Sequence, residues 1–204
     1  MNLDPLWPPP PSIHSHAFRL LIQDFSLLLD YIDPVDSHRP VYSQRTFELL
    51  VRTCTEVEAV LRIVIGKTGQ TSMADYRQAR DILPLLSAEA GLLFWKPDLA
   101  FVSPFSGWQA TGGSLPWYQD YNAAKHDTVA QLSRASFDSL VQALSALVIL
   151  HFLREGFHFF DPYVSNTSQS FRHHNNDLVE TFVGGIPFSV RLPKAILNGL
   201  IWRA

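Results

Sequence analysis

The stretch YSQRTFELLVRTCTEVEAVLRIVI, residues 42–65, decides the fold class. Its apolar residues recur at three- and four-residue steps, which is the spacing of one face of an amphipathic helix. Ser43 suits the N-cap position just before this pattern, and Gly66 follows its last apolar residue. The pattern therefore predicts a long helix that begins after Ser43 and ends before Gly66.

Helical spacing continues on both sides of this stretch. Residues 13–31 predict a first helix, which the two prolines of DPVDSHRP (33–40) end. A third helix is predicted from about Thr71 or Ser72 to the proline at position 84, with LLSAEAGLLFW (85–95) returning to helix. The Pro- and Gly-containing region 96–115, which holds Phe101, Phe105 and Trp108, predicts an ordered loop that its aromatic residues hold in place.

Two further helices are predicted after that loop. Pro116 suits the first helical position, so residues 117–132 should form the fourth helix. Ser133 should cap the fifth helix, which runs to Glu155 and ends at Gly156.

The last part of the chain differs in composition. SNTSQSFRHHNND (165–177) is polar and predicts a loop, and LVETFVGGIPFSVRL (178–192) predicts a β-hairpin around Gly184 and Gly185. KAILNGLIW (194–202) predicts a short closing helix. We therefore predict an all-α bundle of four to five helices over residues 13–156. A Pro-rich arm (1–12) precedes it, and a C-terminal extension (157–204) with a polar linker and a hairpin/helix tail docks on the bundle or on a protein partner.

Composition excludes several function classes. The net charge of −3 gives no general electrostatic footprint for nucleic acid, so any such binding must be local. Cys54 is the only cysteine, which rules out an intrachain disulfide and a thiolate zinc site. The acidic, Pro-rich start does not resemble a secretory signal, and the apolar run 143–153 is shorter than the ~20 residues that span a bilayer. We expect a cytoplasmic protein without a membrane segment.

The motif PWYQDYNAAKHD, residues 116–127, is the strongest candidate for a functional site. On a helix, Gln119, Asn122 and His126 share one face, and Lys125 lies close to it. A histidine can transfer protons near neutral pH, a lysine can neutralise phosphorane charge, and an asparagine can orient a phosphate or a ribose hydroxyl. This set suits metal-free cleavage of a phosphodiester, with the 2′-hydroxyl of RNA as nucleophile.

A structural interpretation of the same motif stays open. A single histidine on an amphipathic helix is more often a residue at the edge of the core than a catalyst. The aromatic residues Trp117, Tyr118 and Tyr121 fit packing against the bundle better than stacking on bases, and Asp127 begins to turn away from the polar face.

Acidic residues of the second helix could support this site. Glu58 lies four residues after Cys54 and should point inward, towards Lys125 or His126, whereas Glu56 should face solvent. A structural ion pair is the simpler role for Glu58, and orientation of the His126 imidazole is the alternative.

Other motifs carry less weight. His14 and His16, and the adjacent pair His173 and His174, lack the spacing of a metal site, so we expect no metal and no cofactor. IGKTGQT (65–71) contains Gly-Lys-Thr but lacks the first glycine and the preceding strand of a phosphate-binding loop. Gly66 is better explained as the stop of the second helix.

The order of these segments resembles the HEPN superfamily of small helical proteins from bacterial defence and toxin systems. The resemblance covers about residues 43–155 and rests on the stretch 42–65, DYRQAR (75–80), SPFSGWQ (103–109) and WYQDYNAAKHDT (117–128). The family motif is an Arg, a polar residue and, a few residues later, a His. Asn122 and His126 match the last two, but Tyr121 occupies the Arg position.

The resemblance implies a homodimer in which two copies of the motif form a composite, metal-independent endoribonuclease site. His126, Lys125, Asn122 and Tyr121 would be its catalytic set, and Glu58, Gln119 and Asp127 would support it. Without the Arg, Lys125 must supply the positive charge, or the site is degenerate. The competing interpretation is a dimeric binding module or scaffold, such as an antitoxin, regulator or defence-complex subunit. A third is a ligand-binding domain whose aromatic loop lines a pocket beside Trp108.

Overall fold

The computed structural model describes residues 13–69, 71–78, 85–155, 172–174, 178–182 and 186–193. Its helices are α1 (Ile13–Leu28), α2 (Gln44–Val64), α3 (Met73–Gln78), α4 (Pro116–His126), α5 (Thr128–Gln131) and α6 (Phe137–Glu155). Its strands are β1 (Glu89–Leu92), β2 (Ala100–Val102), β3 (Arg172–His174), β4 (Leu178–Phe182) and β5 (Phe188–Pro193). The described chain is mostly helical, with one antiparallel sheet.

Helix α2 forms as its sequence predicts. The Ser43 hydroxyl accepts a hydrogen bond from the Thr46 backbone N–H at 3.1 Å, and the Thr46 hydroxyl accepts one from the Ser43 N–H at 2.7 Å. This reciprocal capping box satisfies two donors at the start of the helix. At the other end Gly66 adopts φ 65°, a left-handed conformation that favours glycine, and the helix stops there.

The core is built around α6, which packs most extensively on α2. Its apolar residues are buried on all sides except for the partly buried Leu153; Leu144, Leu147 and Leu150 are fully enclosed. Helix α1 covers another side of the core: the Phe25 ring stacks on Phe137 with centroids 6.2 Å apart. The helices predicted for residues 13–31 and 135–155 are therefore confirmed, with observed bounds of Ile13–Leu28 and Phe137–Glu155.

The prediction of a mostly helical fold is confirmed, but a five-stranded sheet shows that the fold is not strictly all-α. Its strand order is β2-β1-β5-β4-β3, and all pairings are antiparallel. Ala90 pairs with Val190 and Leu92 with Phe188, and all four side chains are buried. Pairing with distant chain segments overrides the weak helical pattern of 85–95, where residues 85–87 form a 3₁₀ turn and β1 follows.

The hairpin of the C-terminal extension is confirmed by the pairing of β4 with β5. The polar segment before it is not wholly a loop, because residues 172–174 form β3 at the edge of the sheet. In the region 96–115, β2 likewise forms within the predicted loop, whose Phe105 and Trp108 are buried as expected. The arm 1–12, the stops at Pro84 and Gly156, and the closing helix 194–202 lie outside the described residues.

Two predicted boundaries near the candidate site are wrong. Helix α4 ends at His126, because the Asp127 backbone leaves the helical region (φ −143°, ψ 77°) and its carboxylate caps α5 through the Ala130 N–H at 3.0 Å. The cap of α6 is Ser136, not Ser133. The Ser136 hydroxyl accepts a hydrogen bond from the Ser139 N–H at 3.2 Å.

Helix α6 is the one helix of the described chain that passes a length and composition test for a membrane span. Its 18-residue window Phe137–Arg154 has a mean hydropathy of 1.4, and 78% of the window is buried inside the protein. The predicted buried helix is confirmed, and its apolar window is longer than the run 143–153.

Candidate functional site

The inner face of α4 anchors the motif helix in the core. Trp117, Tyr121 and Ala124 are buried, at the spacing of one helix face. The Trp117 indole N–H donates to the Pro104 carbonyl at 2.8 Å, which links α4 to the loop before it. The prediction that these aromatic residues pack against the bundle is confirmed, and it applies to Tyr118 too, which is half-buried.

The outer face of α4 carries Gln119, Asn122 and His126, and Lys125 lies at its edge, four residues after Tyr121. Gln119, Lys125 and His126 are exposed, and Asn122 is half-buried. The buried inner face holds α4 in place. The four polar side chains therefore project from a helix whose position is fixed. The structure thus keeps the predicted polar set together on one helix.

The Lys125 ammonium is held by Tyr121, one helical turn earlier. Its Nζ donates to the Tyr121 hydroxyl at 2.9 Å and lies 5.0 Å from the centroid of the Tyr121 ring. The hydrogen bond with Tyr121 is the largest cause that raises the pKa of Lys125 above its usual value, and Glu58 also contributes. Lys125 is therefore a cation over the whole neutral range.

Glu58 and Tyr118 form a second layer beneath Lys125. The Tyr118 hydroxyl donates to Glu58 Oε1 at 2.8 Å, and the Tyr118 and Tyr121 rings lie 5.4 Å apart. Burial, followed by the contact with Glu58, raises the pKa of Tyr118. Burial likewise raises the pKa of the nearby Cys54 thiol well above its usual value, which keeps it protonated and unreactive.

Glu58 lies on the side of α2 that faces α4, as predicted, but the predicted ion pair with Lys125 is not among the contacts of the described residues. Glu58 acts electrostatically on Lys125, as expected, but its carboxylate is bonded to Tyr118. No hydrogen bond or ion pair joins Glu58 to His126 within the described chain, so Glu58 does not orient that imidazole. No sequence signal predicts this partner, because Tyr118 and Glu58 lie 60 positions apart on different helices.

Glu56 does not face solvent, and that prediction is wrong. Its side chain is largely buried and pairs with His14 Nδ1 at 2.5 Å, across the contact between α1 and α2. His14 is one of the histidines considered above as metal ligands, and this pair accounts for its Nδ1 atom. Among the residues that the structure describes, no group of three or more His, Cys, Asp or Glu side chains could hold a metal ion.

Asp120 is a residue of α4 that the sequence did not single out. Its carboxylate accepts from the Ser139 hydroxyl at 2.7 Å and pairs with Arg134 at 2.7 Å. These contacts tie the motif helix to the start of α6. Asp127, which was predicted to support the site, caps α5 instead and thereby ends α4 directly after His126.

Comparisons of this chain with protein-family models, with curated proteins and with solved structures gave no match.

Proposed function

We propose that the outer face of α4 contacts RNA and that the protein is a HEPN-like, metal-independent endoribonuclease of the cytoplasm. The observation that carries this proposal is that Lys125, a held cation, and His126, an exposed imidazole, are consecutive residues at the end of an anchored helix. The Lys125 cation can bind an anionic phosphate, and the His126 imidazole can transfer protons at neutral pH. Asn122 lies one turn before His126 and adds a neutral donor for a phosphate oxygen.

The proposed reaction uses the RNA's own nucleophile. A base removes the proton of the 2′-hydroxyl, the 2′-oxygen attacks phosphorus, and the bond to the 5′-oxygen breaks as an acid protonates that oxygen. The products are a 2′,3′-cyclic phosphate and a 5′-hydroxyl. His126 takes one of the two proton-transfer roles, and Lys125 stabilises the charge that develops on the phosphorane oxygens.

A homodimer would complete this site. One outer face of α4 carries one imidazole, whereas the reaction needs an acid and a base, so a second copy of His126 would supply the other role. Val129, three residues after His126, is 98% exposed and offers an apolar contact beside the site. The C-terminal extension is a second surface through which a protein partner could bind.

The test is an RNA cleavage assay in excess chelator. Wild type is compared with His126→Ala and with a matched control, His16→Ala, which removes an exposed histidine from α1. We expect wild type and the control to leave cyclic phosphate ends and His126→Ala to lose about 10²-fold or more of the rate. Equal rates in all three proteins would reject His126 as the proton-transfer group, and sedimentation of the same samples would test the dimer.

A dimeric binding module is the second candidate, and the burial of Tyr121 favours it. Where the family motif has an Arg, this chain has a side chain that is 1% exposed and turned into the core. Position 121 therefore supplies a neutral hydroxyl and no positive charge of its own. A folded dimer that cleaves no RNA in the assay above would support the scaffold interpretation.

A further inference from the structure

We propose that Tyr121 is a positioning residue that holds the Lys125 ammonium at the phosphate-contacting face. This inference rests on the proposed function for its purpose, and on two contacts of Tyr121 for its geometry. The hydroxyl accepts a hydrogen bond from Lys125 Nζ at 2.9 Å, and the ring lies 5.0 Å from the same atom. Both contacts place the Lys125 cation on Tyr121, within the motif of α4.

A lysine on a helix surface ordinarily samples many rotamers, and binding an anion must then restrict them. Here the restriction exists before any ligand arrives, because both contacts come from a residue that cannot itself move freely. Tyr121 is 1% exposed, and its ring packs on Tyr118 at 5.4 Å. The cation is therefore preorganised by the core.

The layer beneath Tyr121 supports the same arrangement. Tyr118 is anchored to α2 by its hydrogen bond with Glu58 at 2.8 Å, and the negative charge of Glu58 favours the protonated form of Lys125. The position of Lys125 near the C-terminal end of α4 adds the attraction of the helix dipole for a cation. Lys125 serves as a fixed positive charge, and proton transfer is left to His126.

The experiment measures the rate at which Lys125 is acetylated by an N-hydroxysuccinimide ester, read by peptide mass spectrometry. Only the neutral amine reacts with the ester, and the hydrogen bond to Tyr121 favours the protonated amine. Loss of the Tyr121 hydroxyl should therefore raise the rate at which Lys125 is acetylated. Tyr121→Phe keeps the ring and should accelerate acetylation about 2- to 10-fold, the range that one net hydrogen bond represents. Lys67 and Lys96, each paired with an aspartate elsewhere, are internal standards whose rates should not change.

Tyr118→Phe is the matched variant, since it removes a hydroxyl of the same helix that bonds Glu58 rather than Lys125. It should change the Lys125 rate less than Tyr121→Phe does. An unchanged Lys125 rate in Tyr121→Phe, or an equal acceleration at all three lysines, would overturn the positioning role.

The failure of the proposed function is distinguishable from the failure of this inference. Excess RNA should slow acetylation of Lys125 in the wild-type protein if the outer face binds RNA. If RNA gives no protection while Tyr121→Phe still accelerates Lys125, the contact between Tyr121 and Lys125 stands and the RNA-binding function fails.

Discussion

Helices α6 and α4 both pack in the core, but they use their side chains differently. In α6 nearly all apolar residues are buried, on every side of the helix, and even the polar residues Ser145 and His151 are fully enclosed. In α4 only one side is buried, and the outward side holds Gln119, Asn122, Lys125 and His126. Both helices are held firmly, so the polar outer face of α4 is not needed for packing.

This difference separates stability from function. A substitution in α6 must disturb close packing or buried polar groups, whereas one on the outer face of α4 changes groups that contact solvent. We therefore expect α6 variants to lose or gain free energy of unfolding, and outer-face variants to change activity without unfolding.

Leu147→Ala should give the largest loss of stability. Leu147 is 0% exposed in the middle of α6, and its truncation leaves a cavity in the core. We expect the free energy of unfolding to fall by about 2–5 kcal/mol in urea titrations. Leu27→Ala removes a leucine that is 58% exposed on α1 and serves as the control. Similar losses in both variants would contradict the central place of α6.

The stability of the protein should depend on pH through His151. Burial, together with the charges of Arg154 and His14, lowers the pKa of His151 to about 3. The unfolded chain binds a proton at His151 below about pH 6.5, whereas the folded chain keeps this residue neutral down to about pH 3. The free energy of unfolding that depends on His151 is therefore fully present above about pH 6.5 and is lost as the pH falls towards 3. Between pH 7 and 5 this should cost about 2 kcal/mol.

The variant His151→Leu isolates this contribution. Urea titrations at pH 7 and 5 should show a smaller loss of stability on acidification than in wild type, while His16→Leu, on the exposed side of α1, should keep the wild-type loss. The same pH dependence in all three proteins would show that His151 is not held neutral by the fold.

Ser145→Ala should stabilise the protein. The Ser145 hydroxyl is buried and has no hydrogen-bond partner among the described residues, which costs desolvation without a compensating contact. We expect a gain of about 1 kcal/mol in thermal or urea unfolding. Ser139→Ala is the matched control, because the Ser139 hydroxyl donates to Asp120 and its loss should destabilise. A loss of stability in Ser145→Ala would reveal a contact of that hydroxyl.

Gln119→Ala and His126→Ala should have the smallest effect on stability. Both side chains are exposed on the outer face of α4, and the helix is anchored from its other side. We expect changes within about 0.5 kcal/mol. A loss of more than about 2 kcal/mol in either variant would show that the outer face contributes to packing, and the contrast with α6 would fail.

The sequence predicted what depends on neighbouring residues. The periodicity of α1, α2 and α6, the cap at Ser43, the stop at Gly66 and the antiparallel pair of β4 and β5 all follow from short-range patterns. Strand β1 did not, because it is short and its partner β5 lies about a hundred residues away: Glu89 pairs with Arg191. Short apolar runs do not distinguish helix from strand until the partner is known.

In the candidate site, too, short-range features could be predicted from the sequence and contacts between distant residues could not. Helical spacing predicts the shared face of Gln119, Asn122 and His126. The same spacing allows the contact of Lys125 with Tyr121, four residues earlier, to be predicted. The bond between Tyr118 and Glu58 joins two helices and depends on how they pack. Asp127 is a residue type typical of helix caps, and that signal could have predicted the early end of α4.

The most direct test of the account is the salt dependence of RNA binding, measured by fluorescence anisotropy with a labelled single-stranded RNA. Lys125→Ala is compared with wild type and with Lys96→Ala, which removes an exposed lysine outside α4. We expect weaker binding for Lys125→Ala and a slope of log affinity against log salt whose magnitude is smaller by about 0.7 for each Lys125 that contacts phosphate. Identical affinities and slopes for all three proteins would contradict the claim that the outer face of α4 is an RNA-contacting site.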